Sequence, residues 1–392
     1  MTLRQKLLHN SITREIGIWL HKAVRTAQMR FYTMTEKVDP MKVIFSSFEG
    51  RSYNDNPRYI SEMLHERCPE AKIVWVTRSD DVALPDYVTR TRIYTPDCYR
   101  HMASARVWVT NQTIKPYYLL NTRRQDYINT WHGDRGFKKV GYDNAYAKQR
   151  GKRLEERCTF MLSGSDFGSR VIRTAFRNPN PWCIGAPRND LLIRGDDQLA
   201  QKVREQLGAR AGARLLLYAP TYRDDAYNDF RKQKSMLDIS ATLDFLEKRT
   251  GEPWQCLYRT HYLSDGLLID REQRLIDACK WPEMAEILLI SDLVITDYSS
   301  CGSDFMLQGR PAVYYQSDVD DYLENSRTFY FDMEKSPLLI AHSQQELEEI
   351  LASLTPERVR EYCAQVKAFF GEQETGRATE LVTDRILEWI GK

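Results

Sequence analysis

Four polar clusters carry the residue types from which chemistry could be built, and each follows a run rich in branched or aromatic residues. Trp131-His132-Gly133-Asp134 follows QDYINT, Ala219-Pro220-Thr221-Tyr222-Arg223 follows RLLLY, Arg259-Thr260-His261 follows WQCLY, and Asp297-Tyr298-Ser299-Ser300 follows LVIT. His132 is the candidate general base, because a histidine near its reference pKa accepts a proton at neutral pH; the alternative is a structural strand-end histidine. Arg259 and His261 stand two apart on an extended segment and so share one face. Together they can supply donors to the oxygens of a diphosphate, and Arg223 can add another fork. The alternative for such arginines is a surface ion pair of minor energy. In the Asp297–Ser300 turn, backbone N–H groups at a helix start and the hydroxyls of Ser299 and Ser300 suit a phosphate. A plain turn, with Asp297 closing it and Ser300 capping the helix, accounts for the same residues. Lys138 and Lys139 either hold an anion or are solvated.

These clusters need a frame that gathers them. From Met41 onward, short β-rich runs (MKVIFSSF, AKIVWVT, ARVWVTN, QDYINTWHG, TFMLSGS) alternate with helical stretches, and PWCIGAPRNDLL reads as a strand that leads out of the domain. That alternation predicts βαβ units and a parallel sheet. A polar, charged stretch at 193–213 reads as a helix and a connection, after which the alternation restarts with RLLLYAPT, WQCLYRTH, LVITDYSS and PAVYYQS. Helices are expected near 235–249, 283–290 and 301–308, the last closed by Gly309, and a helical tail over 344–392 packs back. The carboxyl ends of parallel strands open on one edge, so two facing lobes would bring all four clusters to one cleft.

The chain divides accordingly into residues 1–37, 38–195 and 196–392. Over residues 1–35 Leu3, Leu7, Ile12, Ile16, Leu20, Val24 and Ala27 recur at helical spacing, while Arg4, Lys6, Arg14, Lys22, Arg25 and Arg30 face only Glu15. Such a basic amphipathic helix can lie on an anionic membrane or pack its apolar stripe on the protein body.

The 392 residues, 42% hydrophobic and 28% charged, describe a folded chain of ordinary composition, and a net charge of +2 gives no reason to expect nucleic acid. The eight cysteines show neither C-x-x-C nor metal-ligand spacing, and no secretory signal opens the chain, so the expected compartment is the cytosol. There is no G-x-x-x-x-G-K-[ST] loop and no G-x-G-x-x-G after the first strand, which excludes a P-loop site and disfavours a dehydrogenase. Asp318, Asp320 and Asp321 imitate a metal cluster but read better as helix capping.

In order along the chain, NTWHGDRGFKKVG (129–141), SGSDFGSRVIRTAF (163–176), GAPRNDLL (185–192), LYAPTYRDD (217–225), RTH (259–261), ISDLVITDYSSCGSDFMLQGRPAVYY (290–315) and SRTFYFDME (326–334) resemble the CDP-glycerol glycerophosphotransferase family. The resemblance implies the GT-B architecture of two Rossmann-like lobes, and transfer of glycerol phosphate from CDP-glycerol to an acceptor hydroxyl with release of CMP. It implies His132 and His261 as catalytic residues, with Arg259, His261, Asp297, Ser299, Ser300 and Arg223 on the donor. Gly133, Asp134, Arg135, Lys138, Arg188, Asn189 and Asp304 fall on the acceptor side or in support. The acceptor implied is a lipid-linked saccharide or glycerol-phosphate chain on the inner membrane face, with no tightly bound cofactor and an open question over divalent ions. The chain's size is nearer the single-transfer members. Alternatives are a CDP-ribitol or nucleotide-sugar transferase on the same fold, or a non-catalytic nucleotide-binding scaffold. The chain departs from the family at W-H-G-D-R, where W-H-G-T-P is usual, so Asp134 and Arg135 are expected to alter acceptor selection or the surroundings of His132. Tyr262 replaces the usual proline after R-x-H, and Ser303 stands where an aromatic is common.

Overall fold

A computed structural model describes residues 11–113, 118–144, 154–221, 237–259, 274–325 and 328–391. Arg223 and His261, with Tyr262, lie outside the described residues.

Two wholly parallel sheets organise the chain. The first holds β1 (Asp39–Ser46), β2 (Lys72–Thr77), β3 (Thr89–Arg92), β4 (Ala105–Thr110), β5 (Asp126–Asn129), β6 (Phe160–Ser163) and β7 (Pro181–Cys183), in the order β3-β2-β1-β4-β5-β6-β7. The second holds β8 (Arg214–Ala219), β9 (Trp254–Tyr258), β10 (Leu275–Asp277), β11 (Leu293–Thr296), β12 (Ala312–Tyr315) and β13 (Leu339–Ala341), in the order β10-β9-β8-β11-β12-β13. The central strands are buried on both faces, as Leu215, Leu216 and Leu217 in β8 illustrate, which is why they read as unbroken apolar runs. In each sheet the order reverses direction once, between β1 and β4 and between β8 and β11. Crevices open at those two points, outside the strand ends.

The strands absent from the sequence reading are β3, β10 and β13, all at sheet edges. β3 is TRTR, a polar segment that the pairing of Val74 with Thr89 and Trp75 with Arg90 draws into the sheet. The 301–308 helix is shorter than expected, a five-residue α-helix (Cys301–Phe305) running into a 3-10 turn (Met306–Gln308) that ends on Gly309 in the left-handed region, φ 72°. Gly309 meets nothing there that would exclude a side chain, so its conformation alone explains the glycine.

One apolar core runs through the junction of the lobes. It joins Phe137, Phe167, Ile172 and Phe176 of the first to Leu215, Val294, Phe305 and Tyr314 of the second, with Phe370 from the tail. The tail does not stay with the second lobe. Helix Gln344–Ser353 covers the second sheet through Leu347 and Leu351, whereas the last helix, Ala378–Ile390, inserts Val382, Ile386 and Ile390 among Val43, Ile60, Leu64 and Val109 of the first. The last helix therefore packs on the first lobe.

The amino-terminal helix Ser11–Thr35 rests on helix Pro96–Ser104 through Met29, which is fully buried, with Arg25 over the Tyr94 ring and Arg100 over Tyr32. Among the described residues no helix is long and apolar enough to cross a membrane. The eight cysteines are all free thiols.

Because Ile386 is fully buried in the first-lobe core, Ile386→Ala should cost about 3 kcal/mol in urea unfolding followed by tryptophan fluorescence. Glu388→Ala, which removes only a surface ion pair with Arg385, should change stability by less than about 1 kcal/mol in the same measurement.

Candidate active site

His132 lies beyond the end of β5, and its imidazole reaches back to the first crevice. The ring Nδ1 lies 2.6 Å from the carbonyl oxygen of Asn111, the residue after β4. A carbonyl only accepts, so Nδ1 carries the proton and Nε2 presents a lone pair, the form a general base requires. Burial pushes the imidazole pKa below its ordinary 6.5, against the Asn111 carbonyl and the Asp55 charge; the charges of Arg188 and Lys138 push the same way as burial. The ring is flanked by Phe48, edge-on with centroids 5.4 Å apart, and by Trp131 at 4.3 Å.

The surrounding polar groups hold this loop from several sides. Asn111 accepts from Phe48 N through Oδ1 (2.9 Å) and donates to the Ser47 hydroxyl through Nδ2 (3.1 Å). Ser47 donates to Asn54 (2.7 Å), which in turn donates to the Pro282 carbonyl of the second lobe (2.8 Å). Asn56 donates to the Trp131 carbonyl (3.0 Å) and accepts from Arg188 N (2.9 Å). Arg188 donates to the His132 carbonyl (3.1 Å) and to Asp304 Oδ2 (2.8 Å).

The second crevice presents the serine turn. Asp297 Oδ1 accepts from Thr221 N (2.8 Å) and from Tyr298 N, which ties the ends of β8 and β11 together. Asp297, buried, thus closes the turn through Oδ1, as the plain-turn alternative has it. Ser299 Oγ accepts from Cys301 N (3.3 Å), whereas the Ser300 side chain makes no capping bond. The capping alternative therefore fits Ser299 and not Ser300. Instead Ser300 faces the histidine loop: a Cβ built on Gly133 would sit 3.7 Å from Ser300 Oγ, and one on Gly136 3.7 Å from Ser300 Cβ.

Arg259 Nη1 donates to the carbonyls of Ala278 (2.7 Å) and Trp281 (2.6 Å), so that group braces the turn leading to the lobe junction. Beyond that turn, Glu283 accepts from Asp55 N (2.7 Å), and Glu286 pairs with Arg58 (3.0 Å), both across the lobes. Burial, with the Asp55 charge, pushes the Glu283 carboxyl up to about 7.

Asp134 and Arg135 are buried under the loop, and Asp134 lines a small cavity together with His132 and Arg188. Asp134 accepts from the hydroxyls of Ser163 (2.8 Å) and Ser165 (2.6 Å), and Arg135 pairs with Asp304 (2.8 Å) and Glu374 (3.1 Å). Asn189 donates to Glu374 (2.7 Å) and Asp304 (3.3 Å). Burial opposes the Asp304 charge, but Arg188 and Arg135 hold its carboxyl below the usual range. Burial pushes Glu374 up to about 7 against the pull of Arg135. Lys138 lies where the loop meets the second lobe, bridging Phe329, with Lys139 N donating to the Thr328 carbonyl (2.9 Å). Ser303 shares a hydrogen bond with the Tyr314 hydroxyl (3.1 Å).

Sequence reasoning missed Asn111, Phe48, Asn56, Asp55 and Glu374. Asn111 was within reach of the strand-end rule, since it follows ARVWVT; Glu374 gives no local signal.

The match to known proteins covers this whole arrangement. Residues 28–388 match the family model described as CDP-glycerol:poly(glycerophosphate) glycerophosphotransferase. The chain belongs to that family. It is 27% identical over 366 residues to a teichoic acid glycerol-phosphate transferase of Staphylococcus aureus, covering 88% of this chain and 92% of that one. It is 29% identical over 386 residues to a teichoic acid poly(glycerol phosphate) polymerase of Staphylococcus epidermidis, of which it spans about half the length (53%). The solved structure of the wall teichoic acid polymerase TagF superposes with a TM-score of 0.82 at 26% identity, over 100% of this chain and 99% of that one. The fold of this family member is accordingly the two-lobed, GT-B-like one that its motifs imply.

The His132 ring should titrate below 6.5 in a histidine-resolved NMR titration and keep its Nδ1 proton at neutral pH. Because the folded-state pKa is depressed, its stabilising contribution is complete above 6.5 and is lost as pH falls from there through the folded value.

Proposed function

We propose that this chain transfers glycerol phosphate from CDP-glycerol to an acceptor hydroxyl and releases CMP. The observation that carries the proposal is the contact between the His132 loop and the Ser300 turn: a base with a free Nε2 from one lobe faces a hydroxyl-rich turn from the other. In this reading Nε2 takes the acceptor's proton as its oxygen attacks the phosphorus that bears glycerol. The bond from that phosphorus to the bridging oxygen breaks in line, and the charge leaves on CMP. The hydroxyls of Ser299 and Ser300 and the backbone of their turn receive the diphosphate. Lys138, close enough to depress the His132 pKa, adds positive charge where negative charge accumulates.

His132→Ala should lower CMP release by at least about a hundredfold while CDP binding by calorimetry stays within about twofold. Unchanged turnover would remove the assignment. A panel of CDP-glycerol, CDP-ribitol and nucleotide sugars tests the donor, and only the first should support release at full rate.

The acceptor in this proposal is carried on a membrane lipid, and the amino-terminal helix supports that reading. Opposite the buried Met29 it exposes Leu20, Val24, Phe31 and Met34, the last 86% exposed, and Trp19 is 67% exposed. Lys22 and Arg30 are exposed on the same helix. A surface of this kind inserts apolar side chains among acyl chains while cations meet anionic head groups. Leu20→Glu with Phe31→Glu should reduce co-sedimentation with anionic vesicles at least about fivefold, and raising salt should weaken the unmodified protein's binding. Equal sedimentation of the variant would refute the surface.

A further inference from the structure

Glu374 lies in the short connection between the last two helices, far in sequence from every residue of the catalytic loop, yet its carboxylate is packed beneath that loop. The connection is threaded into the first lobe by main-chain bonds: Asp166 N donates to the Gly371 carbonyl (2.9 Å) and Gln373 N to the Gly164 carbonyl (2.9 Å). Two glycines make the slot. A Cβ on Gly164 would lie 2.3 Å from Glu374 Oε1, and one on Gly185 2.5 Å from Oε2. Oε1 accepts from Asn189 Nδ2 (2.7 Å) and Arg135 Nη2 (3.1 Å), and Oε2 accepts from Ala186 N (2.9 Å). All three partners are donors, so only a carboxylate satisfies them together; a glutamine must aim its NH2 at one of them.

The groups Glu374 holds are those that place the base. Arg135 and Asn189 both contact Asp304 Oδ1, and Asp304 Oδ2 accepts from Arg188 Nη2, which also donates to the His132 carbonyl. Asp304 also donates its backbone N–H to the Ser300 carbonyl (3.2 Å). One carboxylate therefore connects the serine turn to the histidine loop, and its orientation is fixed by guanidinium and amide groups that Glu374 anchors. From this geometry we propose that Glu374 is a positioning residue: it sets the placement of His132 relative to the donor turn through Arg135, Asn189 and Asp304. This rests on the transferase reading only for its kinetic arm.

The test uses the full chain with Glu374→Gln, and separately Gly164→Ala, which evicts the same carboxylate without altering it. Thermal unfolding establishes that each variant folds, and CDP is the binding probe. The expected result is turnover of CDP-glycerol reduced at least about tenfold, with KM for CDP-glycerol and CDP affinity within about twofold, and with the His132 ring resonances displaced. A folded Glu374→Gln or Gly164→Ala variant with unchanged His132 resonances overturns the proposal, as does one with full turnover. If the unmodified protein does not consume CDP-glycerol, the transferase reading fails, and the His132 resonances of the same two variants still decide the role of Glu374.

Discussion

The Asp304 carboxylate, caught between the guanidinium groups of Arg188 and Arg135, is the interaction on which the rest of the site depends. It comes from the second lobe and they come from the first, and all three are almost wholly buried. Charges in such a place are desolvated, and removing one partner leaves another uncompensated, at a cost of about 3–5 kcal/mol. An apolar contact of equal size would hold the lobes together as well, but it would leave their angle free. Paired, hydrogen-bonded charges fix direction as well as distance, which the proposed base and phosphate site on different lobes would require. Around this centre, Asp55 reaches Arg188, and Glu374 and Asp134 reach Arg135, so one guanidinium meets two carboxylates and the other three.

Strand polarity supplies the larger frame. In both sheets all strands point the same way, so the residues following β4 and β5 in one lobe and β8 and β11 in the other open on the edge where the lobes meet. The two reversal points then coincide with the two halves of the site: Asn111 beside β1 and β4, and the Asp297 turn beside β8 and β11. A continuous core from Phe167 and Phe176 to Phe305 and Tyr314 joins the lobes behind that edge.

What the sequence made legible follows from the range of the forces involved. Central strands are announced by burial on both faces, hence all nine of them were readable, and the strand-end histidine and serine turn came with them. Edge strands such as TRTR have no such signature, because pairing on one side is enough to form them. Asp134, Arg135, Arg188 and Asp304 were legible as residues of matching motifs but not as one buried cluster, since the spacing of 31 and 116 positions between partners such as Ser165–Asp134 and Arg188–Asp304 is set only by tertiary folding. Arg259 shows a different limit: donors at a strand end suit a phosphate and suit carbonyls equally well, and the sequence does not announce that Ala278 and Trp281 take one of its amino groups.

Backbone strain marks the same location from an independent direction. Phe48, Asp55 and Trp131 are non-glycine residues with φ of 45°, 60° and 50°; Phe48 and Trp131 flank the His132 ring, and the Asp55 charge acts on it. Each such conformation costs on the order of 1 kcal/mol or more and persists only where neighbours dictate it. The dictating bonds are those already met: Asn111 to Phe48 N, Glu283 to Asp55 N, and Asn56 to the Trp131 carbonyl. Strain held by hydrogen bonds from two lobes is what a site that works by positioning needs, because relaxing any one of these residues would move the imidazole away from the serine turn.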